Sequence, residues 1–105
     1  MSVTVSVQLR AVQDLAEELA VLAAELAGEA ELCRSATSTL GAAVDGDVAA
    51  AASSLGNGWA GLVGLMAQGT GTVAGTLQEA VHAYRLQDAA LSDRLLYVRA
   101  GVAVP

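Results

Sequence analysis

Apolar residues recur every three or four positions over residues 8–40, which is the spacing of one face of an α-helix. The recurring positions are Leu9, Val12, Leu15, Leu19, Leu22, Leu26, Cys33, Thr37 and Leu40, with Ala30 filling the gap. The opposite side carries carboxylates, at Asp14, Glu17, Glu18, Glu25, Glu29 and Glu31. The pattern therefore predicts a first helix over about 8–40 with an apolar seam and an acidic outer face.

A second seam with the same spacing begins at Trp59 and continues to Val98. Its members are Trp59, Leu62, Met66, Thr70, Val73, Leu77, Val81, Tyr84, Asp88, Leu91, Leu95 and Val98. Only Thr70 and Asp88 are polar among them. This seam predicts a second helix over 59–99, with a length of about 60 Å at about 1.5 Å per residue.

Glycines interrupt the pattern between the two seams. Gly41 and Gly46 come first, and the run Gly56-Asn57-Gly58 is the strongest helix-breaking signal in the chain. Asp47 can cap a short helical piece between them. We therefore predict a Gly-rich bend over 41–58 that contains a short helix, and a tail over 100–105.

These elements predict an all-α fold: a single domain, formed by an antiparallel helical hairpin with a short helix in the connection. Hydrophobic residues make up 54% of the 105 residues, but many are Ala and none is Phe. Because Ala adds little buried area, a lone hairpin would have a thin core. We expect two hairpins to pair into a four-helix bundle, as a homodimer or as a heterodimer with a related hairpin protein.

The stretch from Val48 to Gln78 has no charged residue, so a membrane span has to be considered. Many of its residues are Ser, Thr, Asn, Gln or Gly, and no basic residues flank it. We therefore favour a bend followed by a closely packed helix over a membrane span. In that helix small residues would let a neighbour approach, at Gly61, Gly64, Gly71 and Gly75.

Charge and composition exclude several classes of function. Eleven carboxylates face five arginines, and the net charge of −6 disfavours a nucleic-acid partner. Cys33 and His82 are the only residues of their types, so neither a disulfide nor a zinc site can be assembled. No nucleophile or acid–base set is present, and we expect no enzyme, no cofactor and no metal. The first ten residues lack the basic and apolar regions of a secretory signal peptide.

Two short motifs remain. Trp59-Ala60-Gly61 is a W-x-G at the predicted bend, where the indole ring would fill the space between diverging helices. Gly61 would let a backbone pass close to the ring.

Tyr84 and Asp88 form a Y-x-x-x-D, and their i,i+4 spacing places both on one helical face. An aromatic ring beside a carboxylate is a compact mark for another protein to recognise.

With both motifs in this order, the Ala-rich acidic chain resembles the WXG (ESAT-like) superfamily of type VII secretion substrates. The most similar branch is the EspC-like type VII secretion targets of actinobacteria. On this resemblance Trp59 and Gly61 match the bend motif, and Tyr84 and Asp88 match the secretion signal. It implies a hairpin that dimerises into a four-helix bundle, and an FtsK-like ATPase that recognises the C-terminal signal.

One departure is the short distance between the motifs. Tyr84 follows Trp59 by only 25 positions, and a long first half precedes Trp59. Both features suit the EspC-like branch, in which the Trp lies within or at the start of the second helix. They weigh against a simple two-helix hairpin with the Trp in a tight turn.

The function expected from the sequence is a small non-enzymatic substrate of type VII secretion, or a co-secreted helical partner, that acts by protein–protein binding. It would be made in the cytoplasm and then secreted or held at the cell surface. The alternative is a cytosolic helical adaptor or chaperone that dimerises with a partner and is not exported. A small membrane-active protein of holin type is a third hypothesis.

Overall fold

The computed structural model describes residues 3–99 and 101, and in these residues the chain forms two α-helices and no strand. Helix α1 is Val3–Ala43 and helix α2 is Gly46–Arg99. The molecule is 82 Å long and 14 Å thick, which is one layer of helices. The prediction of an all-α helical hairpin is confirmed.

The chain reverses direction within Val44 and Asp45, the two residues between the helices. The Val44 amide donates a hydrogen bond of 3.2 Å to the carbonyl of Leu40 and so continues the last turn of α1. Gly46 has a φ of 71°, a left-handed conformation that glycine adopts without the cost of a Cβ clash. Asp47 follows in the first turn of α2, where the helix dipole stabilises a carboxylate.

The prediction of a Gly-rich bend over 41–58 with a separate short helix is wrong. Helix α2 runs without interruption through Gly56 and Gly58, so the predicted short helix and second helix are one. Each glycine costs about 1 kcal/mol in helix propensity, and contact with α1 along the whole segment outweighs that cost. Helix α1 is also longer than the predicted 8–40. Of the predicted tail, only Gly101 lies within the described residues, in a turn.

The contact between the helices is made mainly by small residues at seven-residue intervals. The buried residues are Ala16, Ala30 and Thr37 of α1 and Ala60, Ala67, Ala74 and Val81 of α2. A seven-residue repeat keeps one narrow face of each helix against its neighbour. Because the repeated side chains are small, the helices meet closely but bury little apolar area.

The predicted seam of α1 is largely confirmed, since Leu9, Val12, Leu19, Leu26 and Cys33 are half-buried and Thr37 is buried. Three members of that seam are instead exposed, at Leu15, Leu22 and Leu40.

The predicted seam of α2 is wrong over its first half. Its large residues there are more than half exposed, at Trp59, Leu62, Met66 and Val73. The alanine row beside them faces α1 instead. Of the later predicted positions, Leu77 and Val81 do lie on the inner face. The last members of the seam are again exposed, at Leu91, Leu95 and Val98. A pair of helices buries only one narrow stripe of each, and here the stripe of small residues occupies the contact.

The hairpin exposes far more surface than a globular protein of its size. Its accessible surface is 7530 Å². A compact monomer of 10.5 kDa would expose about 5400 Å². Most of the large apolar side chains therefore have no covering layer among the described residues.

Candidate functional site

Two contacts define how the helices align. A Cβ added at Gly41 would lie 3.4 Å from Ser53 Oγ, and one added at Gly71 would lie 3.7 Å from Ala23 Cβ. In both pairs the two residue numbers add up to 94, so each residue of α1 lies beside the residue of α2 whose number is 94 minus its own. We call two such residues level with each other. Leu22, for example, is level with Thr72.

One side of the contact between the helices carries arginines, glutamates and small or amide side chains. A surface recess there joins Ala27 and Arg34 of α1 to Gly64 of α2, and a second joins Gln13 of α1 to Gln78 and Arg85 of α2. We call this side the arginine flank. It is defined by the following residues: Gln13, Ala27, Arg34, Gly64, Gln78 and Arg85.

The other side of the contact is apolar. Leu15 and Leu22 follow the inner residues Val12 and Leu19 by three positions, and Trp59 and Met66 precede Ala60 and Ala67 by one. In a helix with 3.6 residues per turn, these positions lie on the side opposite the arginine flank. We call this side the apolar flank. It is defined by the following residues: Leu15, Leu22, Trp59, Leu62, Met66 and Val73.

The apolar flank is open to solvent in the hairpin. Trp59 is 60% exposed, Met66 53% and Leu22 44%. Leu15 is level with Glu79, so the flank extends over levels 59 to 79, or about 30 Å at about 1.5 Å per residue. Exposed large apolar side chains grouped on one side in this way are typical of a protein–protein contact.

The W-x-G motif does not occupy a bend. Trp59 lies well inside α2 and its ring belongs to the exposed apolar flank. A Cβ added at Gly61 would meet nothing within 4 Å, so no other part of the hairpin uses the space that this glycine leaves. The predicted role of Trp59 and Gly61 as a bend motif is therefore wrong.

Other glycines predicted to allow close approach divide into two groups. Gly64 and Gly71 do face α1, near Arg34 and Ala23, whereas Gly75 has open space around it. The glycine with the closest contact to α1, Gly56, is not among those predicted. It lies seven residues before Val63 of the inner face, and this spacing could have indicated its position. A Cβ there would collide with the Thr37 side chain.

The Tyr84–Asp88 pair lies near the open end of the hairpin, where Tyr84 is level with Arg10. Tyr84 is 46% exposed and Asp88 is half-buried. Together with Gln87 and Leu91 they line a shallow surface recess, so the two side chains share one face as their spacing predicts. Asp88 continues the seven-residue row of Ala74 and Val81, and therefore lies at the edge of the inner face.

Reactive and metal-binding groups are dispersed over the described residues. Cys33 is half-buried with its Sγ 3.6 Å from the carbonyl oxygen of Gly56. His82 is exposed beside the arginine flank. Within residues 3–99 and 101, no three His, Cys, Asp or Glu side chains come together where they could hold a metal ion.

No family model matches the chain, and neither a curated protein nor a solved structure matches it. In the described part of the chain, neither helix has a segment apolar enough to cross a membrane. The features on which a function can be argued are thus two surfaces: the apolar flank and the Tyr84–Asp88 pair.

Proposed function

We propose that this chain is a small non-enzymatic substrate of a type VII secretion system, of the EspC-like kind, or a helical partner secreted with one. It is exported through the Tyr84–Asp88 signal and acts by protein–protein binding. The observation that carries the proposal is the position of this pair, side by side at the open end of the hairpin with the Tyr84 ring partly in solvent.

Asp88 occupies an inner row whose preceding members are Ala60, Ala67, Ala74 and Val81. It places a half-buried carboxylate one helical turn from the partly exposed Tyr84 ring. A receptor can recognise an aromatic ring and a carboxylate at this spacing. On the resemblance to WXG proteins that receptor is the FtsK-like ATPase of the secretion machine.

The apolar flank supplies the binding surface. The hairpin exposes about 2000 Å² more than a compact monomer of its mass, and a standard interface takes about 800 Å² from each partner. A second helical hairpin laid on this flank would cover Trp59, Met66 and Leu22 and complete a four-helix bundle. In this proposal Trp59 is an interface residue.

The export proposal is tested by Tyr84→Ala and Asp88→Ala in an actinobacterial strain with an active type VII system. Secreted and cell-associated protein are measured for each variant together with its thermal stability. Both variants should fold and accumulate inside the cell while secretion falls by about tenfold or more, since each removes half of the signal. Asp88→Glu should be milder because it keeps the charge.

Matched controls come from the same helix. Tyr97→Ala and Asp93→Ala remove the same residue types from exposed positions outside the pair, and they should be secreted as the unmodified protein is. Normal secretion of Asp88→Ala would contradict the assignment of the signal. The cytosolic adaptor would then be the better description, because it uses the apolar flank and needs no export.

A further inference from the structure

The chain contains two sequences suited to a turn, and the hairpin uses only one of them. It reverses at Val44 and Asp45, followed by Gly46 in a left-handed conformation. The second sequence, Gly56-Asn57-Gly58, lies inside α2. Glycine and asparagine adopt left-handed conformations more readily than other residues, so this run has the composition that such a turn needs.

The contact faces of the helices repeat every seven residues, as in the row Ala60, Ala67 and Ala74 of α2. A shift by whole repeats therefore keeps the same faces together. A shift by three repeats places each residue of α1 beside the residue of α2 that lies 21 positions further along. The turn lies midway between paired residues, so it moves by about ten residues, from 44–46 to about 55–57.

Other shifts find no turn sequence. Shifts by one or two repeats would place the turn within 47–54, which contains no glycine. A shift by three repeats is the one that brings the turn to Gly56-Asn57-Gly58. We call this alignment the second register, and the alignment in the structure the observed register.

The second register exchanges apolar contacts without losing their total extent. Leu91, Leu95 and Val98 are more than half exposed in the observed register. After the shift they lie against the inner row of α1 that contains Ala16 and Ala23. In return Leu9 and Val12 lose their half-buried places, because they then lie beyond the level of Arg99.

The contact between Thr37 and Gly56 favours the observed register. A Cβ at residue 56 would come within 2.9 Å of Thr37 Cβ, so Thr37 requires a glycine opposite it. Three repeats further along α2, this place is occupied by Leu77. Thr37 would overpack against Leu77 in the second register, and that register is destabilised accordingly.

The register also determines access to Tyr84 and Asp88. In the observed register the two residues lie near the open end of the hairpin, with the Tyr84 ring 46% exposed. In the second register they lie against Leu26 and Ala30, in the middle of α1. Helix α1 would then cover both side chains.

We infer that the hairpin is a register switch. In the second register the chain turns at Gly56-Asn57-Gly58 and hides the Tyr84–Asp88 pair, and the fit of Thr37 against Gly56 holds the chain in the observed register. The value of hiding the pair rests on the proposed function, whereas the existence of two registers does not.

Disulfide formation in a Cys33→Ala background distinguishes the registers. Ala23→Cys/Gly71→Cys reports the observed register, because the two Cβ positions lie 3.7 Å apart. Ala23→Cys/Ser92→Cys reports the second register, since Ser92 lies about 31 Å beyond Gly71 along α2. Each protein is oxidised at low concentration, and the disulfide within one chain is followed on non-reducing gels. The first disulfide should form rapidly and the second slowly, and Thr37→Ala should accelerate the second about tenfold by relieving the overpacking.

Ala23→Cys/Arg85→Cys is the matched control for general opening of the hairpin. Arg85 lies two repeats after Gly71 in the same row, and it lies beside Ala23 in neither register. Its disulfide should form more slowly than the one at Ser92.

A variant that removes the second turn tests the inference without changing Thr37. Asn57→Ala/Gly58→Ala replaces two residues that are exposed within α2, so the observed register is retained. This change should slow the Ser92 disulfide by about tenfold, because the left-handed conformation of a turn is costly for alanine. Helical circular dichroism verifies that each variant is folded.

Two results would overturn the inference. One is a Ser92 disulfide that forms no faster than the Arg85 disulfide in the Thr37→Ala protein. The other is a Ser92 disulfide whose rate is unchanged by Asn57→Ala/Gly58→Ala. Neither result touches the export proposal, which is read from the secretion of the Tyr84 and Asp88 variants.

Discussion

Gly56 of α2 lies directly against the side chain of Thr37 of α1, and the fit leaves no room for a methyl group at residue 56. An added Cβ would come within 2.9 Å of Thr37 Cβ. Thr37 is held in place, since its Oγ1 donates a hydrogen bond of 2.8 Å to the carbonyl of Cys33. The Cys33 thiol in turn lies 3.6 Å from the Gly56 carbonyl oxygen. These three residues join the helices near the closed end of the hairpin.

We expect Gly56→Ala to lower the free energy of unfolding by about 1–3 kcal/mol, because the methyl group overpacks the contact with Thr37. The change is measured by urea or thermal unfolding followed by circular dichroism. Adding Thr37→Ala should recover part of the loss, because it removes the two Thr37 atoms nearest the new methyl group.

Gly58→Ala is the matched control. It lies in the same helix two residues later, and a Cβ there would meet nothing within 4 Å. It should raise the free energy of unfolding by about 0.5–1 kcal/mol through helix propensity alone. If both substitutions stabilise the protein equally, the close contact at Gly56 does not exist in solution.

A substitution at the small residue Ala60 should change the free energy of unfolding more than a substitution at its large neighbour Trp59. Trp59 is 60% exposed and Ala60 is 0% exposed. Trp59→Ala should therefore change the free energy of unfolding of the isolated chain by less than about 1 kcal/mol. Ala60→Leu should cost about 1–3 kcal/mol, because it forces a large side chain between the helices.

Thermal unfolding at low protein concentration checks this pair, and Trp59 fluorescence gives a second measurement. The emission should resemble that of tryptophan in water. A blue-shifted emission together with a loss of about 3 kcal/mol or more for Trp59→Ala would show that the ring is buried in the hairpin.

The turn depends on the left-handed conformation of Gly46, which has a φ of 71°. Gly46→Ala should cost about 1–2 kcal/mol in the free energy of unfolding, and Gly46→Asn should cost less. Gly28→Ala serves as the control, since Gly28 lies within α1 with open space around it. A Gly46→Ala variant as stable as the unmodified protein would place the turn elsewhere.

The sequence by itself determined the features that depend on local spacing. The three- and four-residue recurrence of Leu9, Val12 and Leu19 predicted α1 and its inner face, because a helix presents such positions on one side. The shared face of Tyr84 and Asp88 followed from their i,i+4 spacing in the same way. The hairpin itself followed from two such helical segments separated by a turn.

Only the tertiary structure decided where the chain turns and which stripe of α2 is inside. Gly56 and Gly58 are strong local breakers, but each costs about 1 kcal/mol, and continuous contact with α1 outweighs that. Trp59 and Ala60 belong to adjacent stripes of α2, and the hydrophobic effect alone would favour burial of the larger side chain. Close approach of two helices favours the smaller one, so Ala60 is buried and Trp59 is left on the surface.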